Sequence, residues 1–531
     1  MVHRLATETF DVLVVGGGIT GVGVALDAAS RGLRTALVEA DDFASGTSSK
    51  SSKLVHGGIR YLQSGEVRLV YEALRERKRL CRNAPHLVKL LPFLLPILKR
   101  DGLINRRVAR ALGSAMWMYD LTGGWRIGKL HKRLKRDEAG GHLPTLPREK
   151  LAYGYIYYDA TVDDARLVLA VARTAAAHGA AVANRCRVTA FDHDQDGRVV
   201  GARVDAGDGE FAIAARVVVN AAGVWADQVR ALEDGTISET IRPAKGVHVT
   251  VPWALVRNDT AAVVPVPGDR RSLFVVPWGP QPGGTFTHTY IGTTDTDYEG
   301  RLDDPPCTAT DIDYVLGAVN AVIGTHLTTA DVTGVWAGLR PLVRSASSGR
   351  TADLSRRHRV TTSPAGVVAV AGGKLTTYRE MAEDTVNVVV GILGQRGRCR
   401  TKKLLLLGAD GFSELAAGTP EAHLADRYGT LATAIDELVA KDAELGAPLV
   451  PGLPYLRAEA VYAARHEMAT TLLDVLTRRT RAHLLDRAAT LAAADDAADL
   501  LAEELGWDAS ERHRQLAEYA DLVAREHADA K

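Results

Sequence analysis

A chain of 531 residues is long enough to bury several cores without disulfides or a structural metal. Its 46% hydrophobic and 24% charged residues exclude a largely disordered, collagenous or coiled-coil chain. With 65 Lys and Arg against 64 Asp and Glu, the formal net charge of +1 gives no general grip on polyanions, so nucleic acid is not an expected partner.

The N-terminal segment reads β-α-β. Phe10–Val15 is a short apolar run of strand formers, Gly16–Gly18 a tight turn, and Ile19–Arg31 has helical spacing that Gly32 stops. Leu33–Val38 is a second strand, closed by Glu39. Asp41–Ser52 is polar and aperiodic, and Glu66–Leu80 reads as a charged helix. Leu87–Leu98, LVKLLPFLLPIL, is the membrane candidate. It falls short of the ~18 residues of a spanning helix, and Lys89, Pro92 and Pro96 interrupt it, so no transmembrane helix is expected. Basic clusters follow at Lys99–Arg100, at Arg106, Arg107 and Arg110, and at Lys132–Arg136. Beside the apolar run they suit either a solvated face or attachment to an acidic membrane surface; the run tilts the reading toward the membrane, while its leucines taken singly suit a buried core at least as well.

From Asp163 a helix with acids in its first turn and a glycine at its end is followed by the strands CRVTAF, VVGARVDA, FAIAA and RVVVNAAG. A β-rich region runs to about Thr294, a helix covers Asp311–Ile323, and Val367–Val386 is strand, glycine turn and helix. From about Gly408 to Lys531 the chain is Ala-, Leu-, Glu- and Arg-rich with helical period, a separate all-α unit. No secretory leader is read in MVHRLATETFDVLVV. Cys81, Cys186, Cys307 and Cys399 lie far apart with no C-x-x-C, which fits a reducing compartment and offers no zinc or other metal site.

Gly16, Gly18 and Gly21 form G-x-G-x-x-G after a strand and at the opening of a helix. The first permits the turn, the second lets the backbone approach a pyrophosphate, and the third packs helix on strand. The free N–H groups of the helix N-terminus face the phosphates. Glu39 closes the second strand, where a carboxylate accepts ribose hydroxyls, so FAD or NAD is expected rather than NADP. Three further glycine-bearing clusters, Gly46–Gly58, Asn220–Asp227 and Ala371–Glu380, offer dispersed contacts that suit a long FAD. In the last, Thr376 and Thr377 open a helix whose N-terminus can stabilise negative charge on a reduced ring.

TSSKSSKLVHGGIRYL (Thr47–Leu62), VDDARLVL, NAAGVWAD, IGTTDTDYEG, AGLRPLV and GGKLTTYRE together resemble the FAD-dependent glycerol-3-phosphate dehydrogenase family, within the D-amino-acid-oxidase-like flavoproteins. The likeness runs in order over about residues 10–400, and TRRTR around Arg478–Arg479 resembles that family's C-terminal helical domain. Val224 stands where relatives commonly carry proline, a change in a backbone turn. The resemblance implies an α/β fold: a Rossmann-like, glutathione-reductase-type FAD domain (1–75, 155–235 and 335–400), an inserted α+β substrate domain (76–154 and 236–334) and a C-terminal all-α domain (405–531). It implies FAD held without a covalent link by Gly16, Gly18, Thr20, Gly21, Glu39, Thr47, Ser48, Ser52, Lys53, Leu54, His56, Val188, Ala222, Gly223, Lys374, Leu375 and Thr376, with His56 packing against the ring rather than tethering it.

The implied reaction is oxidation of sn-glycerol 3-phosphate at C2 to dihydroxyacetone phosphate by hydride transfer to FAD, with electrons passed to a membrane quinone. The implied place is the cytoplasm, peripheral on the inner face of the plasma membrane, with a homodimer allowed. A small dianionic alcohol needs fork-like cationic donors for its phosphate and a base for its hydroxyl proton. Arg60, Tyr61, Arg340 and Lys374 are the substrate-binding candidates, Lys374 serving flavin equally well. His248 and Arg340 are the catalytic pair, and which of them takes the proton stays open. The nearest alternative is an oxidase that uses oxygen. An RNA-modifying flavoprotein is opposed by the near-zero net charge and the lack of an aromatic-and-basic platform. A non-catalytic FAD module is opposed by Arg60, Arg340 and Lys374 converging on one predicted site.

Overall fold

The computed structural model of the chain describes all residues except 59–66, 100–115, 118, 121–126, 208, 237–238, 270, 282, 345–356 and 413–421. Thr9–Val15, rich in valine and buried at all but its first residue, has the burial of a strand covered on both faces. It lies near the middle of an eight-stranded sheet ordered Arg359–Thr362, Val368–Ala371, Glu210–Asn220, Thr9–Val15, Thr35–Val38, Ala181–Ala183. The pairings from Val368–Ala371 to Ala181–Ala183 are all parallel. The helices Ile19–Ser30, Asp164–Ala177 and Tyr378–Ile392 pack Val22, Val168, Val171 and Val386 on one face of this sheet with Val12 and Val14. The hairpin Arg187–His193/Val199–Asp205 brings Phe191, Val199 and Val204 against Phe10, Leu13 and Val38 on the other. This is the expected nucleotide-binding α/β unit, and its glycine turn follows the C-terminal end of the central strand, where open α/β sheets bind ligands.

A second, ten-stranded sheet runs in the order Thr296–Asp297, Ile241–Pro252, Thr285–Gly292, Ser272–Gln281, Ala261–Pro265, Lys89–Leu98, Leu151–Thr161, Leu54–Val55, with Gly334–Val343 beside Ile241–Pro252. The helix Ala309–Ile323, opened by a Thr308/Asp311 capping box and closed by left-handed Gly324, packs Ile312, Val315 and Val319 on one face against Val247, Val249 and Ile291. The other face is aromatic, with Phe93, Tyr157, Tyr290 and Trp336. Leu54–Val55, Leu151–Thr161 and Gly334–Val343 pair within this second sheet. The sequence reading had placed Leu54, Val55, 155–161 and 335–343 with the nucleotide-binding segments.

The apolar run Leu87–Leu98 also differs from its reading. It is the strand Lys89–Leu98, paired along its length with Leu151–Thr161 and buried from Phe93 to Leu98. A strand inside a sheet covered on both faces carries the same continuous apolar signature as a membrane-seeking segment. Among the described residues no helix is long and apolar enough to cross a membrane. The C-terminal region is helical, from Ala422–Tyr428 to Ala509–Asp529, around its own core of Ile435, Val461, Tyr462, Leu476 and Leu501.

Candidate active site

The glycine turn has the geometry that the motif requires. Gly16 sits at φ +114°, and a Cβ there would lie 2.7 Å from the Ala221 carbonyl oxygen. A Cβ on Gly21 would lie 1.9 Å from the Gly16 carbonyl oxygen, so only glycine lets the helix pack this close. At Gly18 a Cβ would meet only the Ser48 hydroxyl, at 3.1 Å. That hydroxyl accepts from the Ile19 N–H at 2.9 Å, in the first turn of the helix. The Glu39 carboxylate accepts from the N–H groups of Gly17 (2.5 Å) and Asp41 (2.9 Å). Burial raises its pKa, against those two donors.

These groups border a cavity of about 980 Å³, at the upper end of the ~300–1,000 Å³ range of small-molecule sites, as an extended dinucleotide requires. Gly16, Gly18, Thr20, Glu39, Thr47, Ser48, Val188, Ala222, Gly223, Lys374 and Leu375 all line it. The residues fit FAD: a carboxylate for the ribose, a bare backbone and helix N-terminus for the pyrophosphate, and a second glycine turn at the far end. In that turn Gly372 and Gly373 have φ of +76° and +79°, and the helix Tyr378–Ile392 follows Leu375–Thr377.

Six of the expected cofactor residues stand outside the cavity lining: Gly21, Ser52, Lys53, Leu54, His56 and Thr376. Ser52 bonds His248. Leu54 is buried in a strand of the second sheet. The His56 N–H donates to Thr376 Oγ1 at 3.1 Å, tying the first of the two loops to the second. Lys53, at φ +55°, sends its amine to Asp164 (3.1 Å) and the Ser49 carbonyl (3.0 Å). Gly21 acts through packing alone. Arg60 and Tyr61 lie outside the described residues.

The catalytic candidates come together through strand register. Ile241–Pro252 and Gly334–Val343 pair antiparallel with His248 opposite Trp336, Gly246 opposite Gly338 and Ala244 opposite Arg340. Positions two apart share a face, so His248, Trp336, Arg340 and both glycines lie on the same side. The His248 ring lies flat on Trp336, with centroids 4.8 Å apart and planes at 7°. Its Nε2 is 2.9 Å from Ser52 Oγ, and its Nδ1 is buried with no hydrogen-bond partner among the described residues. Burial, then the charges of Lys53 and Arg340, push its pKa well below the ordinary imidazole value, so the ring is neutral and can accept a proton. The Arg340 guanidinium donates to Asp295 Oδ1, Thr293 Oγ1 and the Thr294 carbonyl, each at 3.1 Å. The paired glycines make room. A Cβ on Gly246 would lie 2.6 Å from Arg340 Nη2, and one on Gly338 would lie 2.3 Å from the Lys50 carbonyl oxygen.

The polar segment after Glu39 bridges the two sheets. Thr47 Oγ1 donates to the Leu339 carbonyl (2.5 Å), Trp336 Nε1 to the Ser51 carbonyl (3.0 Å), and the Tyr290 hydroxyl to the Ser52 carbonyl (2.9 Å). The segment 47–52 therefore joins the cavity, which residues 47–50 line, to the face of His248 and Arg340, a trough that Ser52 meets through His248.

The sequence reading missed the charges beneath this segment. Arg479 clasps Asp42 with two bonds of 2.6 and 2.8 Å, both side chains fully buried, and Arg478 joins the same carboxylate. Burial alone would raise the Asp42 pKa, but the two arginines hold it well below the carboxylate range. Arg481 binds Asp163 (2.9 Å) and Asp164. The signal was present: three arginines in TRRTR beside buried leucines, and the acid pair Asp163–Asp164, which reads equally well as a helix cap.

Residues 11–379 match the family described as FAD dependent oxidoreductase, and residues 399–512 match the C-terminal domain of alpha-glycerophosphate oxidase. Over 98% of its length the chain is 44% identical to glycerol-3-phosphate dehydrogenase 2 of Mycobacterium tuberculosis, covering 89% of that protein. The crystal structure of the glycerol-3-phosphate dehydrogenase from Bacillus halodurans complexed with FAD superimposes with a TM-score of 0.78 at 32% identity, over 99% of this chain and 96% of that one. L-alpha-glycerophosphate oxidase from Mycoplasma pneumoniae is 18% identical with a TM-score of 0.56, over 75% of this chain and 99% of that one, and shares the fold alone.

Proposed function

This chain belongs to the FAD-dependent glycerol-3-phosphate dehydrogenases of the wider FAD-dependent oxidoreductase family, and on that premise we propose that it oxidises sn-glycerol 3-phosphate at C2 to dihydroxyacetone phosphate. The observation that carries the reading is the trough: a buried imidazole and a guanidinium on one face of paired strands, with glycines between them. His248, engaged at Nε2 by Ser52, takes the C2 hydroxyl proton at Nδ1 as the carbonyl forms. Arg340 offers the planar fork that a phosphate or a developing oxyanion needs, and Lys374, on the cavity wall, adds a second cation. Arg60 and Tyr61 complete the substrate-binding set. FAD, when bound, supplies the hydride acceptor and passes the electrons on.

We take the final acceptor to be a membrane quinone rather than oxygen. The reading is supported by the dehydrogenase names of the relatives at 44% and 32% identity, the oxidase standing at 18%. The apolar run Leu87–Leu98 no longer supports membrane contact, because it is internal. Peripheral contact with the inner face of the plasma membrane then rests on the basic clusters between Lys99 and Arg136. The test is anaerobic: glycerol 3-phosphate should bleach the oxidised flavin, glycerol alone should not, and RNA should change nothing. A soluble quinone analogue should then restore the colour faster than air does. A flavin that stays yellow with glycerol 3-phosphate overturns the substrate, and faster reoxidation by air turns the reading to an oxidase.

A further inference from the structure

A buried arginine of the C-terminal helical unit reaches, through the acid it holds, the turn on which His248 rests. Arg481, in the turn before Ala482–Leu485, is 1% exposed. Its Nε and Nη2 hold Asp163 at 3.0 and 2.9 Å, and Nη2 also meets Asp164. Asp164 is fully buried and divides its oxygens. One accepts from Lys53 Nζ at 3.1 Å. The other accepts from the Ser51 N–H at 3.0 Å and the Ser51 hydroxyl at 2.7 Å. The tripeptide Ser51–Lys53 is thus pinned from below by an acid that Arg481 locks, and from above by Trp336 and Tyr290 on its two carbonyls. Left-handed backbone at Lys53 closes the turn. Within this turn the Ser52 hydroxyl meets His248 Nε2, while the Lys53 amine lies 4.8 Å from the centroid of the Trp336 ring.

We propose that Ser52 and Arg481 are positioning residues for His248: Ser52 accepts a hydrogen bond from Nε2–H and so leaves the Nδ1 lone pair to take the substrate proton, while Arg481, through Asp164 and Ser51, holds Ser52 in place. The inference rests on the reading of His248 as the base. It gives the C-terminal unit a part in catalysis that needs no contact with substrate. A ring nitrogen fixed by one partner sets which nitrogen is free, so the hydroxyl controls the tautomer as well as the orientation. The charged and titratable groups that face His248 are Lys53 on the turn, Arg340 on the neighbouring strand and Tyr290, whose ring centroid is 6.3 Å away. Behind Lys53 stand Asp164, Asp163 and Arg481. A shift in His248 titration is therefore read in variants that leave Lys53 and Arg340 in place.

The experiment uses the FAD-loaded full chain and stopped-flow anaerobic reduction by glycerol 3-phosphate, with rates scaled to bound flavin. S52A should lower the limiting reduction rate by about tenfold or more, a part of the ~10²–10⁴ that a positioned base supplies. It should move the acid limb of the rate–pH profile and leave the substrate Kd within about twofold, because phosphate is held elsewhere. S52T, which keeps the hydroxyl, should restore most of the rate. R481Q should lower the rate in the same direction, R481K less so, and S52A/R481Q should be no slower than S52A, since both act through one bond. Where R481Q yields no flavin-loaded protein, R481K and its double with S52A carry that comparison. Wild-type rate and profile in S52A overturn the role of Ser52, and multiplicative effects of the two sites overturn the linkage through Arg481. H248N, run alongside, separates the failures. If H248N reduces its flavin normally, the base reading itself is wrong; if H248N is dead and S52A is normal, only the positioning proposal falls.

Discussion

Gly246→Ala isolates the trough from everything else in the fold. The added Cβ would stand 2.6 Å from Arg340 Nη2 and 2.6 Å from Thr293 Oγ1. Both are ends of side chains that can swing away, so the sheet survives and the guanidinium moves. Moving it breaks its charged bonds to the substrate phosphate or oxyanion, each worth about 1.5–3 kcal/mol. At 1.4 kcal/mol per decade that is a loss of roughly 10- to 100-fold in kcat/KM. The matched control is Gly338→Ala, whose Cβ would stand 2.3 Å from the Lys50 carbonyl oxygen. There the obstacle is backbone on the wall shared with the cofactor, so that variant should lose flavin before it loses turnover per flavin. Flavin content from the visible spectrum and anaerobic substrate titration measure the two quantities separately. Gly246→Ala with unchanged kcat/KM, or with flavin lost and turnover per flavin intact, would refute the assignment of Arg340 to the substrate side.

Gly18→Val should fold and purify colourless. The only neighbour of its Cβ is the Ser48 hydroxyl, but the side chain fills the space where the backbone meets the pyrophosphate, and full flavin occupancy would sink that assignment. Arg479→Met leaves Asp42 with Arg478 as its one remaining ion-pair partner, beside the Asn184 amide, in a buried site and should cost about 3 kcal/mol, read as a lower denaturation midpoint by loss of bound flavin; an unmoved midpoint refutes it. Lys53→Met tests the electrostatics of the base. His248 is held below its ordinary pKa by burial and then by Lys53, so removing the cation raises that pKa. The ring is then protonated, and unable to accept, up to a higher pH than before. The acid limb of the flavin-reduction rate should move to higher pH, and a limb that stays or moves lower contradicts the assignment.

The local part of the site was legible in the sequence because its physics is local. Gly16 and Gly18, Glu39 and the Gly-Gly-Lys turn each work through the next few residues, and all border one cavity, with Gly21 packed behind it. The pair came from the resemblance and not from any local pattern. His248 and Arg340 meet only because Ile241–Pro252 and Gly334–Val343 adopt one register, which no periodicity in either strand specifies. Lys53 was read with its cofactor-facing neighbours, yet a left-handed backbone carries its amine to Asp164, and a single φ is not visible in composition. The run Leu87–Leu98 misled for the opposite reason: its signal was strong but ambiguous, since a covered strand and a membrane-seeking segment are equally apolar.

Two glycines facing each other across a strand pair weaken a sheet, since neither offers a side chain to its neighbour. Gly246 and Gly338 do this on the face that carries the chemistry. The sheet tolerates them because Val247 and Val249, pointing the other way, are buried against the helix Ala309–Ile323. The vacated face is also covered, by the Lys50 carbonyl over Gly338 and the Arg340 guanidinium over Gly246. Lys50 and Thr47 belong at the same time to the wall of the cofactor cavity. Anything that shifts this wall on cofactor loading therefore also reshapes the floor of the trough. Substrate affinity should then depend on whether FAD is bound, even for those contacts that touch only the phosphate.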